Sequence, residues 1–301
     1  MMPTASTNVG RDARIGAGLT VLAASGFAAV SILTSVAMRT GLSLTAVLTW
    51  RYVLSAVVLA GWVVVRRQAR LMPAGETLRW LVVGGGGQAL MVYLALSSLA
   101  YISAGTLAFL FYTYPAWVTV VQALRGAERL GARRAGALAL SFAGTAVMVG
   151  TPAMTGSATR GVILALAAAV LYGLLIPAMQ WMQKDWPVAV TSTWSKIGAA
   201  LCFLVASAGD RTLQFALPGA AWAAIIALTL WSTVLPSVFF LMALMRLGPV
   251  RTAIISTVEP FLTALLGAVV LAQPLTARTM TGGIAIVAAV IVLQVRPTRD
   301  A

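Results

Sequence analysis

The stretch FLFYTYPAWVTVV, residues 109–121, sets a proline among crowded aromatic rings with no charge nearby. A proline removes a backbone hydrogen bond and bends a helix, while a buried phenol seeks a hydrogen-bond partner that hydrocarbon does not offer. Both features call for surrounding protein or a water-filled cavity to receive them. The uncharged run around this stretch extends from residue 80 to 124, long enough for two crossings of a bilayer at about 20 residues each. Residues 15–38, 135–159 and 161–183 are also free of charge, and 212–245 again has room for two crossings. The whole chain of 301 residues is 60% hydrophobic and only 9% charged, against about a quarter charged in a soluble domain. These proportions exclude a water-soluble globule and predict an all-α integral membrane protein.

Loops and charges divide the chain into ten predicted crossings, near 15–38, 43–65, 79–98, 103–124, 132–150, 161–182, 188–208, 219–241, 250–271 and 278–295. With the N-terminus on the cytoplasmic side, the inner segments carry Arg11, Arg14, Arg66, Arg67, Arg70, Arg79, Arg125, Arg129, Arg133, Arg134, Lys184, Arg246, Arg251, Arg296 and Arg299. The outer segments carry Arg39, Arg160, Arg211 and Arg278. That asymmetry predicts both termini inside. Arg11 and Arg14 before an apolar run resemble a signal peptide, but the run is longer than the usual 7–15 residues, so it reads as a retained first helix. The net charge of +14 is read as topology marking and lipid-headgroup contact, not nucleic-acid binding. A lone cysteine, Cys202, excludes an internal disulfide and reads as a small apolar residue within a helix.

Shifting the sequence on itself by 145 residues brings Arg51 onto Lys196, Phe27 onto Tyr172, Leu99 onto Leu244, Pro115 onto Pro260, Leu130 onto Leu275 and Arg133 onto Arg278. The rarer matches, a charge in the second helix and a proline in the fourth, predict a duplicated five-helix unit. The expected units are 1–150 and 160–296. Since five is odd, the second copy enters the membrane from the opposite side. Inverted repeats of this kind are a transporter architecture, with the site at the repeat interface.

Several segments are similar to the drug/metabolite transporter superfamily and its ten-helix EamA-type exporters. They are SLAYISAG (98–105), YTYPAWVTVV (112–121), GAERLGARRAGALALSFAGTAVMV (126–149), ALMRLGPV (243–250) and TVEPFLTALLGAVV (257–270). The second half departs from the pattern where Gln273 stands in place of Glu128. The resemblance implies export of small organic metabolites, amino acids and aromatic amino acids among them. It also implies that residues just before the fourth-helix proline line the transport path, which favours Tyr112 and Tyr114.

The residues themselves offer further candidates. Tyr93 and Tyr172 join Tyr112 and Tyr114 as phenols at membrane depth, where each is either a substrate contact or a packed ring bonded to a backbone carbonyl. Pro115 and Pro260 are either hinges or packing kinks. Arg51, Lys196 and Glu259 are ionisable groups inside predicted helices, and such groups face the bundle interior with a partner or a task. The two cations lie about 12 Å from opposite membrane surfaces at 1.5 Å of rise per residue. They either snorkel, with an internal ion pair to Glu259, or serve substrate binding and ion coupling. GGGG (84–87) reads as close helix packing or flexibility. Trp62, Trp80 and Trp222 read as interfacial anchors, and Trp50, Trp194 and Trp231 as deeper residues.

Absence of histidine excludes serine–histidine triads and histidine metal sites, and no P-loop motif is present for ATP binding. No catalytic residues, metal or cofactor are expected. The predicted function is secondary transport by alternating access, with multidrug or other metabolite efflux as the alternative and a channel or membrane enzyme behind these. Expected partners are a small-molecule substrate and the lipid bilayer of a bacterial inner membrane, with the chain a monomer or homodimer.

Overall fold

A computed structural model of the chain describes residues 5–68, 72–102, 104–127, 131–149, 158–183, 186–271 and 275–294. Arg70, Glu128, Arg129, Leu130, Lys184, Gln273, Arg296 and Arg299 lie outside the described residues. Among the described residues, ten helical units follow one another. The first, α1, is Ala5–Ala28 continued by Val30–Met38, and α2 is Leu44–Val65. Unit α3 joins Ala74–Arg79, the π-helical Trp80–Gly86 and Gly87–Ser97, while α4 is Ala104–Phe111 with Tyr114–Leu124. Unit α5 is Ala132–Val149, α6 Ala158–Gln183 and α7 Val188–Gly209. Unit α8 joins Gly219–Thr229, the π-helical Leu230–Val234 and Leu235–Leu247; α9 is Pro249–Ser256 with Glu259–Leu271, and α10 is Ala277–Gln294. Eight of these units are long and apolar enough to cross a membrane, and α10 contains a shorter apolar helix, Ala277–Val292. The chain is a multi-pass membrane protein of two inverted five-helix repeats.

Helix pairing shows the symmetry. Units α2 and α7, which correspond under the 145-residue shift, pack on each other, and so do α5 and α10. The pairing of α3 with α6 is matched by that of α8 with α1. Single contacts repeat as well. A Cβ on Gly16 would lie 2.7 Å from Leu247 Cγ, and one on Gly161 would lie 2.8 Å from Ile102 Cγ2. Adding 145 to Gly16 and to Ile102 gives Gly161 and Leu247. The middle helix of each repeat also carries a π-helical segment, a local widening common at functional sites.

Small residues let these helices approach. A Cβ on Gly85 would sit 2.5 Å from the Ser195 carbonyl oxygen, and one on Gly198 would sit 2.2 Å from that of Leu81. The GGGG stretch therefore packs α3 against α7, and Gly87 does the same toward Leu175 of α6. Polar side chains knit the same faces. Ser195 Oγ donates to the Gly84 carbonyl at 2.8 Å, Thr49 Oγ1 donates to that of Phe203 at 2.9 Å, and Thr49 and Ser207 share a bond of 2.8 Å. Such bonds satisfy hydroxyls where water is absent. At Gly248 the chain turns directly from α8 into α9 with φ of 78°, a value glycine adopts without steric cost.

The tryptophans divide differently from the sequence expectation. Trp80 is 1% exposed, so it is a core residue and not an interfacial anchor, because the π-helical segment turns it inward, with Gly84 beneath its ring. Trp62 is exposed, as an anchor should be, and Trp231 is exposed too. Trp50 packs edge-on to Phe215 and Trp222, with its indole nitrogen donating to the Gln214 carbonyl at 2.9 Å. Cys202 is exposed on α7.

Candidate functional site

Pro115 and Pro260 do more than bend their helices: each lies second in a new half-helix, after a break at 112–113 and at 257–258. A proline there loses nothing, since the first amides of a helix have no intrahelical acceptor. The residues that open the two half-helices are Tyr114 and Glu259. They occupy equivalent positions, 145 apart. The positive end of the half-helix dipole favours a carboxylate at Glu259, whereas Tyr114 supplies a neutral hydroxyl at the same place.

The two breaks meet through the packing of Pro249–Ser256 on Tyr114–Leu124. Around them lies an aromatic cluster. Tyr114 and Tyr172 have ring centres 4.8 Å apart, Tyr112 and Tyr114 6.0 Å, and Phe111 stacks on Tyr172 at 5.7 Å. Phe240 stacks beyond Tyr172 at 6.3 Å and meets Phe27 at 6.3 Å. Tyr112 and Tyr114 are buried, while Phe111, Tyr172 and Glu259 are partly exposed. Tyr114 Oη donates to the Ala253 carbonyl at 3.3 Å. The Tyr112 hydroxyl faces the Glu259 carboxylate. The group thus combines apolar ring faces with one carboxylate.

A second polar group lies where α2 and α7 pack. Arg51 Nε donates to Thr233 Oγ1 at 2.6 Å, and its Nη2 to the Ser232 carbonyl at 3.4 Å. Lys196 Nζ donates to Gln88 Oε1 at 2.6 Å. These are one contact made twice, since Arg51 shifts to Lys196 and Gln88 to Thr233 by 145. Each cation reaches across to the middle helix of the other repeat. Both are buried and both lie against the Tyr52 ring, Arg51 Cζ at 5.2 Å and Lys196 Nζ at 5.6 Å from its centre. That is within the range of a cation–π attraction.

The sequence profile of the EamA-like transporter family matches residues 14–150 and again residues 159–295. The chain belongs to the EamA-like transporter family. Its fold is shared with solved structures: one crystal structure superposes with a TM-score of 0.80 at 18% identity, covering 95% of this chain and 98% of that one. No curated protein matches the chain in sequence. An EamA-like repeat therefore occupies each half.

Within this EamA-like frame the structure brings together Tyr112, Tyr114, Tyr172 and Glu259, and sets Arg51 and Lys196 together at Tyr52. Tyr93 stands apart. It is 45% exposed on α3 and belongs to neither group, because its face of the helix points outward. Glu259 faces Tyr112, and neither Arg51 nor Lys196 makes a hydrogen bond to it. The cations do not snorkel, since both are buried and their heads end on polar side chains of the neighbouring repeat. Sequence reading passed over Tyr52, Gln88, Thr233, Phe111 and Phe240. The 145-residue shift held the signal for two of them, because it pairs Gln88 with Thr233 as it pairs Arg51 with Lys196. Pro177, inside α6, was missed as well.

Proposed function

We propose that the protein exports small organic metabolites, amino acids and aromatic amino acids foremost, by alternating access between the two repeats. The observation that carries this reading is the aromatic cluster at the paired proline breaks, with Glu259 at its edge. Ring faces suit an apolar side chain, and a few convergent polar groups fix orientation, as in small-molecule sites generally. The carboxylate of Glu259 suits a substrate ammonium, or a proton carried in exchange. It is the one carboxylate in the sequence that falls within a predicted crossing away from the loops. The half-helix breaks supply joints about which each repeat can rock. Charge asymmetry supports both termini on the cytoplasmic side, and the membrane proposed is a bacterial inner membrane.

Counterflow into liposomes holding the purified chain, over a panel of labelled amino acids, tests the reading. Saturable exchange of one or more aromatic amino acids is the expected result. A panel with no exchange, alongside exchange of unrelated cationic drugs, would replace it with multidrug efflux.

A further inference from the structure

The pair of buried cations has unfilled bonding capacity. A guanidinium carries five N–H donors and an ammonium three, yet Arg51 Nη1 is buried without a hydrogen-bond partner, and Lys196 makes its bond to Gln88 alone. Two hydroxyls next to them are buried and unpartnered as well. One is Ser232 Oγ, on the residue whose carbonyl receives Arg51; the other is Ser192 Oγ, one helical turn before Lys196. Three of the four unpartnered buried polar atoms among the described residues therefore belong to Arg51 and to these two neighbouring serines.

Burying a charge at membrane depth costs several kcal/mol unless an opposite charge or a full set of hydrogen bonds offsets it. Tyr52, Gln88 and Thr233 give two positive charges only neutral partners. Glu259 faces Tyr112 instead, and the hydrogen bonds of both cations go to other residues. The missing component is negative, small enough to lie between two side chains, and rich in acceptor atoms. A carboxylate has two oxygens with about four acceptor sites and takes guanidinium donors two at a time.

We propose that Arg51 and Lys196, with Tyr52, Ser232 and Ser192, form a binding site for one oxyanion, and that this oxyanion is the carboxylate of the transported substrate. The assignment rests on the transporter reading and sharpens it. Unit α6, which carries Tyr172, packs on the Gly87–Ser97 segment of α3 that carries Gln88. A substrate with its acid at Tyr52 lays its apolar body along Tyr172 toward Phe111. The pseudo-symmetry gives the pair a further property. One cation belongs to each repeat, so a bound carboxylate ties the repeats together, and its release lets them separate.

The experiment is thermal unfolding of the full chain in lipid nanodiscs, titrated with sodium acetate, phosphate or chloride at constant ionic strength. Acetate is expected to raise the unfolding midpoint saturably. Arg51→Gln and Lys196→Gln each weaken its apparent affinity by about thirtyfold or more, the cost of removing one partner of a buried charge pair, and Tyr93→Phe leaves it unchanged. Lys196→Gln carries the comparison if Arg51→Gln does not fold. In liposomes, counterflow of phenylalanine but not of phenylalaninamide places the anion on the substrate. If acetate binding depends on Arg51 and no amino acid exchanges, the oxyanion site stands and the amino-acid reading falls. Equal acetate responses in wild type and both variants would overturn the site. Stabilisation by chloride alone, with acid and amide exchanged alike, would overturn the carboxylate assignment in favour of an inorganic anion.

Discussion

The two repeats differ least where helices touch and most where the proline breaks meet. Gly16 against Leu247 and Gly161 against Ile102 are the same contact made twice, as are Arg51 on Thr233 and Lys196 on Gln88. At the breaks, however, the first repeat places Tyr114 and the second Glu259. An inverted repeat needs equal halves only for packing, because the two arrangements of a rocking carrier have to be close in energy. Its substrate is not symmetric, and so the residues facing it need not be. The comparison teaches that the scaffold is duplicated and the chemistry at the breaks is not.

The largest expected effect breaks the scaffold. Gly198→Leu drives a side chain into the Leu81 backbone, which cannot yield as a flexible side chain would. It should cost at least about 3 kcal/mol and abolish the monodisperse size-exclusion peak of the detergent-solubilised protein. Gly209→Leu, with open space around its Cβ, should retain the peak.

A second test asks whether the symmetry extends to energy. Gly16→Val and Gly161→Val press on equivalent side chains, so each should cost roughly 1–3 kcal/mol. Thermal unfolding in nanodiscs should lower the midpoint by the same amount in both. A loss confined to one of them would show that the halves pack unequally.

A third test concerns the breaks. Glu259→Gln keeps a partner for Tyr112 and removes the charge. Since a hydrogen bond to a charged group contributes about 1.5–3 kcal/mol, the change should slow counterflow by about tenfold or more while leaving folding intact. Tyr114→Phe loses one neutral bond of 3.3 Å to Ala253 and should cost about 1 kcal/mol, seen as a small fall in unfolding midpoint. Equal losses of transport in the two variants would contradict the asymmetry drawn here.

Much of the fold was legible in the sequence because membrane helices announce themselves through length and absence of charge. The repeat was legible because prolines and intramembrane charges are rare enough for a coincidence of position to carry weight. The candidate site was legible only in part. Tyr112 and Tyr114 stood out by their place before the fourth-helix proline, but nothing in the local pattern separated Tyr172 from Tyr93, whose orientation depends on where α3 widens into its π-helical segment. The same segment turned Trp80 inward against expectation. Glu259 was legible as a carboxylate within a membrane helix, whereas its partner depended on tertiary contact: the helix break places it beside Tyr112, away from the cations. Tyr52 escaped notice because its role comes from Lys196, 144 positions away in the chain and adjacent in space.

The most direct measurement of the central claim, that the aromatic cluster at the breaks touches substrate, is the concentration dependence of counterflow by wild type and Tyr114→Ala at equal amounts of folded protein. Removing a ring that meets Tyr172 at 4.8 Å should raise the half-saturating concentration of an exchanged aromatic amino acid about tenfold, equivalent to roughly 1.4 kcal/mol. An unchanged half-saturation with full transport would contradict it.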